Sequence, residues 1–305
     1  MVKQPSLNTI CMKTSICCLI TGIAAAVLQC ACGTTDKKPV AAPEKPVIEN
    51  KGVKIAYKDT GKGDTTLVFV HGWAINQSYW DNQVAFFKDR YRVVTLDLPG
   101  FGESGKNRTL WTTDIYGSDI DTLLERLDIK NAFLVGHSMS GDIVLSAAIH
   151  APGRVIGVIG VDNFKGVGVA ATPTPQQKEE YAKLTEQLKQ HFRETATSYF
   201  SKELFSATTA DSIRKRVLND IAQTDPVIGT TTITGSEELD EVKALTTLNK
   251  TLLLVNSDYM PTDTTGLVAH HLPYKIYYVH GSGHYPMLEQ PAQFNSLLAA
   301  AITGK

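Results

Sequence analysis

The stretch VGHSMSG places Ser138 among small residues, directly after the apolar run AFLV (Ala132–Val135) and before GDIVLSAAI. A serine hydroxyl alone is a poor nucleophile; it needs a base to take its proton and a third group to orient that base. The strand–serine–helix context predicts a tight turn that lifts the hydroxyl to a helix N-terminus, the setting in which a G-x-S-x-G pattern carries a nucleophile. Ser140 stands where the last glycine of that pattern is usual. Gly136 and Gly141 still give the turn room, and serine is small enough to be accommodated with a narrower site.

A base is expected late in the chain, and VHGSGHYPMLEQPAQF puts His284 on a glycine-rich loop before a helix that opens at Pro291 and Phe294. His280 and His284 are four apart, a metal-binding spacing on a helix, but the intervening GSG breaks helix and no metal site is assigned. Two carboxylates compete for the orienting role. Asp258, in NSDYMPTD after the run TLLLV, gives the chain order Ser, Asp, His and is preferred. Asp162, which ends VIGVIGV at the same sheet edge, is the reserve. Developing negative charge on an attacked carbonyl oxygen needs hydrogen-bond donors. The main-chain N–H groups of Trp73, in FVHGWAIN, and Met139 are the candidates, and no cofactor is required.

These residues must be held by a scaffold, and the sequence from Lys51 alternates strand-like with helix-like segments. VKIAYKD, TTLVFV (Thr65–Val70), YRVVTLDL (Tyr91–Leu98), AFLV, VIGVIGV (Val155–Val161), TLLLV (Thr251–Val255) and KIYYV (Lys275–Val279) read as strands, several of them apolar throughout. Trp80, Val84 and Phe87 share one helical face, and Tyr116, Ile120, Leu123 and Leu127 share another. Alternation of this kind predicts an α/β fold: a mostly parallel central sheet with helices on both faces, and a site at the carboxyl ends of the strands. From Gly166 to Ala244 no buried strand is evident. A capping box at Thr174, Pro175 and Gln177 opens a helix with Tyr181, Leu184, Leu188 and Phe192 on one face. A second helix follows through Ile213, Val217 and Ile221. The division expected is a core of residues 51–165 and 245–305 with a helical cap of 166–244.

Composition narrows the class. The 305 residues are 43% apolar and 20% charged with a net charge of −1, an ordinary globular balance with no basic footprint for nucleic acid. All five cysteines (Cys11, Cys17, Cys18, Cys30 and Cys32) lie in the first 32 residues, which leaves no disulfide or thiol chemistry for the folded part. Lys13 followed by the short apolar stretch from Ser15 to Leu28 reads as a secretory signal, too short to be a spanning helix. Its end resembles a bacterial lipoprotein processing site: Ala31 precedes Cys32 as the small residue such sites use, whereas Gln29 precedes Cys30. The expectation is a leader of residues 1–31 and a lipid anchor at Cys32 (or Cys30), making an exported protein on the periplasmic or cell-surface side of a membrane. A polar, proline-bearing linker over 32–50 would follow.

The segments HGW, DLPGFGES (Asp97–Ser104), GHSMSG, NSDYMPT and GSGHYPMLEQP occur in the order and context of the α/β-hydrolase superfamily, which the chain resembles from Lys51 to its end. HGWAINQSYW with DLPGFGES is also similar to small carboxylesterases. The resemblance implies Ser138 as nucleophile, Asp258 as acid, His284 as base, and the 166–244 insertion as a cap over the pocket. NSDYMP is one residue tighter than the usual acid loop, which keeps Asp162 in reserve. The implied activity is cleavage of a carboxylic ester, or a related acyl bond, of a small molecule through an acyl-enzyme. The same groups serve lactone, amide and carbon–carbon hydrolysis, and an exported binding protein with little turnover would share the fold. Tyr285, Met287, Tyr259, Phe164 and the aromatics of the cap suggest an apolar pocket, although most aromatic side chains are simply core.

Overall fold

The apolar runs become the middle of one eight-stranded sheet. A computed structural model describes residues 46–169, 174–234 and 239–304. The expected leader, its cysteines and the linker up to residue 45 lie outside the described residues. The strands are β1 (Val47–Asn50), β2 (Val53–Asp59), β3 (Thr66–Val70), β4 (Arg92–Leu96), β5 (Ala132–His137), β6 (Val155–Val161), β7 (Leu252–Ser257) and β8 (Tyr274–Val279). Their order across the sheet is β1-β2-β4-β3-β5-β6-β7-β8. From β4 to β8 every pairing is parallel, and β1 and β2 add antiparallel at one edge. Val68 pairs with Val94 on one side and Leu134 on the other, and all of β3 is buried, as a strand covered on both faces must be.

The strand Val47–Asn50 corrects the expected linker. Its sequence, VIEN, is short and half polar, so it carries little periodic signal, yet it pairs with β2 from Val47↔Ala56 to Asn50↔Val53. Asn50 also donates to Asp119 at 2.8 Å, tying this edge to the helical layer.

The helices are α1 (Asp81–Phe87), α2 (Thr113–Arg126), α3 (Ser140–His150), α4 (Pro175–Glu203), α5 (Asp211–Gln223), α6 (Pro226–Thr234), α7 (Glu241–Leu248), α8 (Thr265–Ala269), α9 (Pro286–Glu289) and α10 (Pro291–Thr303). α1, α9 and α10 pack together on one face of the sheet; α2, α3 and α7 pack together on the other. The amphipathic faces read from the sequence are buried: Trp80 and Phe87 on one side, and Tyr116, Ile120 and Leu123 on the other.

Between β6 and β7 the chain forms α4, α5 and α6. The capping box at Thr174 and Gln177 is present, with Pro175 in the first turn of α4. Leu188 and Phe192 are buried, whereas Tyr181 stays exposed because the first turns of α4 extend beyond its packing surface. The helix kinks at His191, where φ is −137° and ψ is 50°. The insertion is bolted down at specific points. The Tyr79 hydroxyl donates to Asp220 at 2.7 Å beneath the Arg216 guanidinium, and Trp73 Nε1 donates to the Gly229 carbonyl at 2.8 Å. α7, by contrast, packs on α3 and so serves as one of the helices flanking the sheet.

The α3–α7 contact encloses two acids. Burial, and then the neighbouring charge of Glu241, push the Asp142 carboxyl up to about 8. Burial raises Glu241 as well. A carboxyl raised in the folded state contributes stability that is complete below its unfolded value, about 3.9, and lost as pH climbs through its folded value. The contribution of this acid pair to denaturant-measured stability is therefore expected to fall between roughly pH 4 and pH 8. Asp142→Asn should flatten that fall; an unchanged slope in the variant would show that the pair does not titrate with folding.

Candidate active site

Ser138 sits between the end of β5 and the start of α3 with φ +54°, the left-handed region a side chain enters only where its surroundings enforce it. Its N–H donates to Val161 at 3.0 Å, and its carbonyl accepts from Gly141 at 2.9 Å. A Cβ at Gly136 would collide with the Ser140 carbonyl, and one at Gly141 with the Asn163 amide, so both glycines are required by close approach. The position of Ser140 is used rather than merely tolerated. Its buried hydroxyl donates to the His71 carbonyl at 2.5 Å, fastening the serine turn to the loop that leads to Trp73.

His284 Nε2 lies 2.8 Å from Ser138 Oγ, and His284 Nδ1 lies 2.6 Å from Asp162 Oδ2. With Nδ1–H donating to the carboxylate, Nε2 is left to accept the serine proton. The Asp162 side chain is 2% exposed. Burial pushes its carboxyl up, but His284 and Lys165 together outweigh this and hold it below the ordinary carboxylate range. Its other oxygen, Oδ1, accepts from the Ser257 N–H at 2.9 Å and the Ser257 hydroxyl at 2.7 Å.

This geometry corrects the preference for Asp258. That residue does follow β7, but its side chain is 45% exposed and its carboxylate meets His280 Nδ1 at 2.9 Å instead of His284. The physical reason lies in the preceding residue: Ser257 turns its N–H and hydroxyl onto Asp162, and β7 becomes the support of an acid carried by β6. Asn163 joins the same assembly. Its amide donates to the carbonyls of Gly136 at 2.9 Å and Ser138 at 3.1 Å, linking the acid turn to the serine turn.

The loop bearing His284 is held at three consecutive main-chain N–H groups. Gly283 donates to Glu289 Oε2 at 2.9 Å, His284 to the Leu204 carbonyl at 2.9 Å, and Tyr285 to Glu289 Oε1 at 3.2 Å. Leu204 ends α4, so the insertion itself contributes to placing the histidine. From below, His137 Nε2 donates to the His284 carbonyl at 2.7 Å. Burial above all, with the nearby His284 adding to it, lowers His137 to about 3, so it remains a neutral donor.

Trp73 and Met139 border the same cavity of about 230 Å³, together with Ser138, Phe200, Leu204 and Tyr285. Among the described residues neither the Trp73 nor the Met139 main-chain N–H has an acceptor. The Trp73 ring packs against Phe200 with centroids 4.7 Å apart. Of the residues suggested for an apolar pocket, Tyr285 lines one, as does Phe200 among the aromatics of the insertion. Met287 is core, Phe164 is buried within the acid turn, and Tyr259 is partly exposed. His137, Asn163, Lys165, Ser257 and Glu289 were not singled out from sequence. DNFK directly after a buried strand was the one local signal for an acid turn.

Chemically, the arrangement can draw a proton from a serine hydroxyl onto a histidine oriented by a buried carboxylate, beneath two unoccupied N–H donors. A strand–turn–helix serine with its base and acid at the ends of later parallel strands defines a recognisable class of fold and site. The profile of the Alpha/beta hydrolase family matches residues 67–297, and the chain belongs to that family. Among individual relatives, a non-heme chloroperoxidase of Streptomyces lividans is 37% identical over 132 residues, 42% of this chain and 48% of that protein. The chain thus matches about half the length of that relative. A 3-oxoadipate enol-lactonase 2 of Acinetobacter baylyi is 25% identical over 264 residues, 85% of this chain and 96% of the relative. An esterase structure from Exiguobacterium antarcticum superimposes with a TM-score of 0.74 at 21% identity, covering 85% of this chain and all of that one.

A prediction follows from the tie between the serine turn and the His71 loop. Ser140→Ala keeps the position small but leaves the His71 carbonyl without that donor, so stability should drop by about 1–3 kcal/mol in urea denaturation. Unchanged stability would mean the hydroxyl does not fasten the two loops.

Proposed function

We propose that the protein is a serine hydrolase that cleaves a carboxylic ester, or a related acyl bond, of a small molecule through an acyl-enzyme. The observation that carries this reading is the continuous hydrogen-bonded chain from Ser138 Oγ through His284 to Asp162, at 2.8 and 2.6 Å. In the first half-reaction Ser138 Oγ attacks the carbonyl carbon while its proton passes to His284 Nε2. The oxyanion rests on the Trp73 and Met139 N–H groups, donors of a kind worth about 3–4 kcal/mol each in the barrier. Collapse breaks the bond to the leaving oxygen, which takes the proton from His284. Water then gives a proton to His284 and attacks the acyl carbon. The acid departs, and Ser138 recovers its proton.

Asp162 remains ionised throughout and stabilises the imidazolium that forms twice per turnover. The cavity of about 230 Å³ favours a small acyl or alcohol group, and its Trp73, Phe200, Leu204 and Tyr285 walls favour an apolar one. The resemblance to an enol-lactonase over nearly its whole length supports including cyclic esters among the substrates. In a lactone the leaving oxygen stays tethered, and the steps are otherwise the same.

The test is turnover of p-nitrophenyl acetate with burst kinetics. The expected result is a stoichiometric burst followed by steady release in wild type, and loss of about 10³-fold or more in Ser138→Ala with the fold intact. Turnover retained by a purified Ser138→Ala enzyme would exclude this mechanism.

A further inference from the structure

Asp162 opens the turn Asp162-Asn163-Phe164-Lys165, in which Asp162 and Phe164 both have left-handed backbones, at φ +49° and +52°. The turn brings Lys165 back over the carboxylate. Lys165 Nζ lies 2.8 Å from Asp162 Oδ1, the oxygen not bonded to His284, and donates to the carbonyls of Met260 at 2.9 Å and Ser257 at 3.2 Å. The ammonium thus sits among one carboxylate oxygen and two main-chain carbonyl oxygens. The Lys165 side chain is 22% exposed and the carboxylate it meets is 2% exposed, so the contact is only partly screened by water.

We propose that Lys165 is a positioning residue which acts through Asp162, locking the carboxylate toward His284 and moderating how firmly it holds the imidazolium. This rests on the triad reading given above. Two consequences are distinct. Mechanically, Oδ1 is fixed by Lys165 and by both donors of Ser257, so the carboxylate cannot turn away from His284. Electrostatically, a cation on one oxygen offsets part of the charge that the other presents to the histidine, and so makes it easier for His284 to give up its proton to the leaving group.

The other titratable groups around Asp162 do not replace this role. His137, whose ring lies 4.8 Å from that of His284, is held neutral by burial. Asp258 and His280 satisfy each other at the exposed end of the neighbouring loop. β7 contributes the uncharged Ser257. Lys165 is thus the cation seated against the acid on the side away from the histidine.

The experiment is the rate of Ser138 phosphonylation by a fluorophosphonate, followed by intact mass across the acid limb of the pH profile. Wild type, Lys165→Met and Lys165→Arg are compared, each checked for folding by near-ultraviolet circular dichroism. Removing the charge should move the midpoint of the acid limb about 1 unit toward higher pH, because the unmoderated carboxylate keeps the histidine protonated longer. Lys165→Arg, which keeps the charge, should restore the wild-type midpoint. A labelled wild type with the same midpoint in Lys165→Met overturns this inference alone. So does a pH-independent loss of rate shared by both variants, which would mark Lys165 as a packing residue. A folded wild type that never labels overturns the triad reading and this inference together.

Discussion

Everything at the site depends on one hydrogen bond, from His284 Nδ1 to Asp162 Oδ2. A histidine on a glycine-bearing loop has many ring orientations open to it, and only one leaves Nε2 facing Ser138. A carboxylate can select that orientation only if it is itself immobile and ionised. Burying it costs several kcal/mol unless donors replace its water. The molecule meets this with the Ser257 N–H and hydroxyl, the Lys165 ammonium and the histidine itself. The strained turn after β6 and the run of β7 as far as Ser257 are best understood as the means of assembling those donors.

The parallel sheet makes the assembly possible because β3, β5, β6, β7 and β8 all end at the same edge. From these ends come, in turn, the Trp73 loop, Ser138, Asp162, Ser257 and the His284 loop. Cross-links keep the loops in register: Ser140 to His71, Asn163 to Gly136 and Ser138, and His137 to His284. The helical insertion takes part as well, since Leu204 accepts the His284 N–H and Thr209 donates to Glu289 at 2.5 Å. A displacement of the α4–α5 connection would therefore disturb the base as well as the pocket wall. In this respect the insertion is part of the framework that holds His284 and more than a cover.

Much of this was legible in the residues alone. The buried strands announce themselves as apolar runs because both faces are covered, and Ser138 and His284 stand out because small residues and glycines crowd around them. The capping box of α4 is local chemistry and reads directly. β1 was not legible, since four half-polar residues at an edge show no period. The choice between Asp162 and Asp258 was not legible either. Both follow apolar strands at the same edge, and what separates them is which way Ser257 turns its donors, a long-range fact. His137, Asn163, Lys165 and Glu289 act through main-chain atoms or through one another, so residue type and spacing carry little trace of their roles.

The most direct measurement is kcat/KM for an activated ester in Asp162→Asn and Asp258→Asn side by side, with folding verified in each. Replacing the carboxylate that orients His284 should cost about 10³–10⁴-fold, because the amide favours the wrong tautomer of the ring. Replacing the one paired with His280 should leave the value within a few-fold of wild type. The opposite pattern, a collapse in Asp258→Asn with Asp162→Asn nearly intact, would contradict the assignment of the acid to β6.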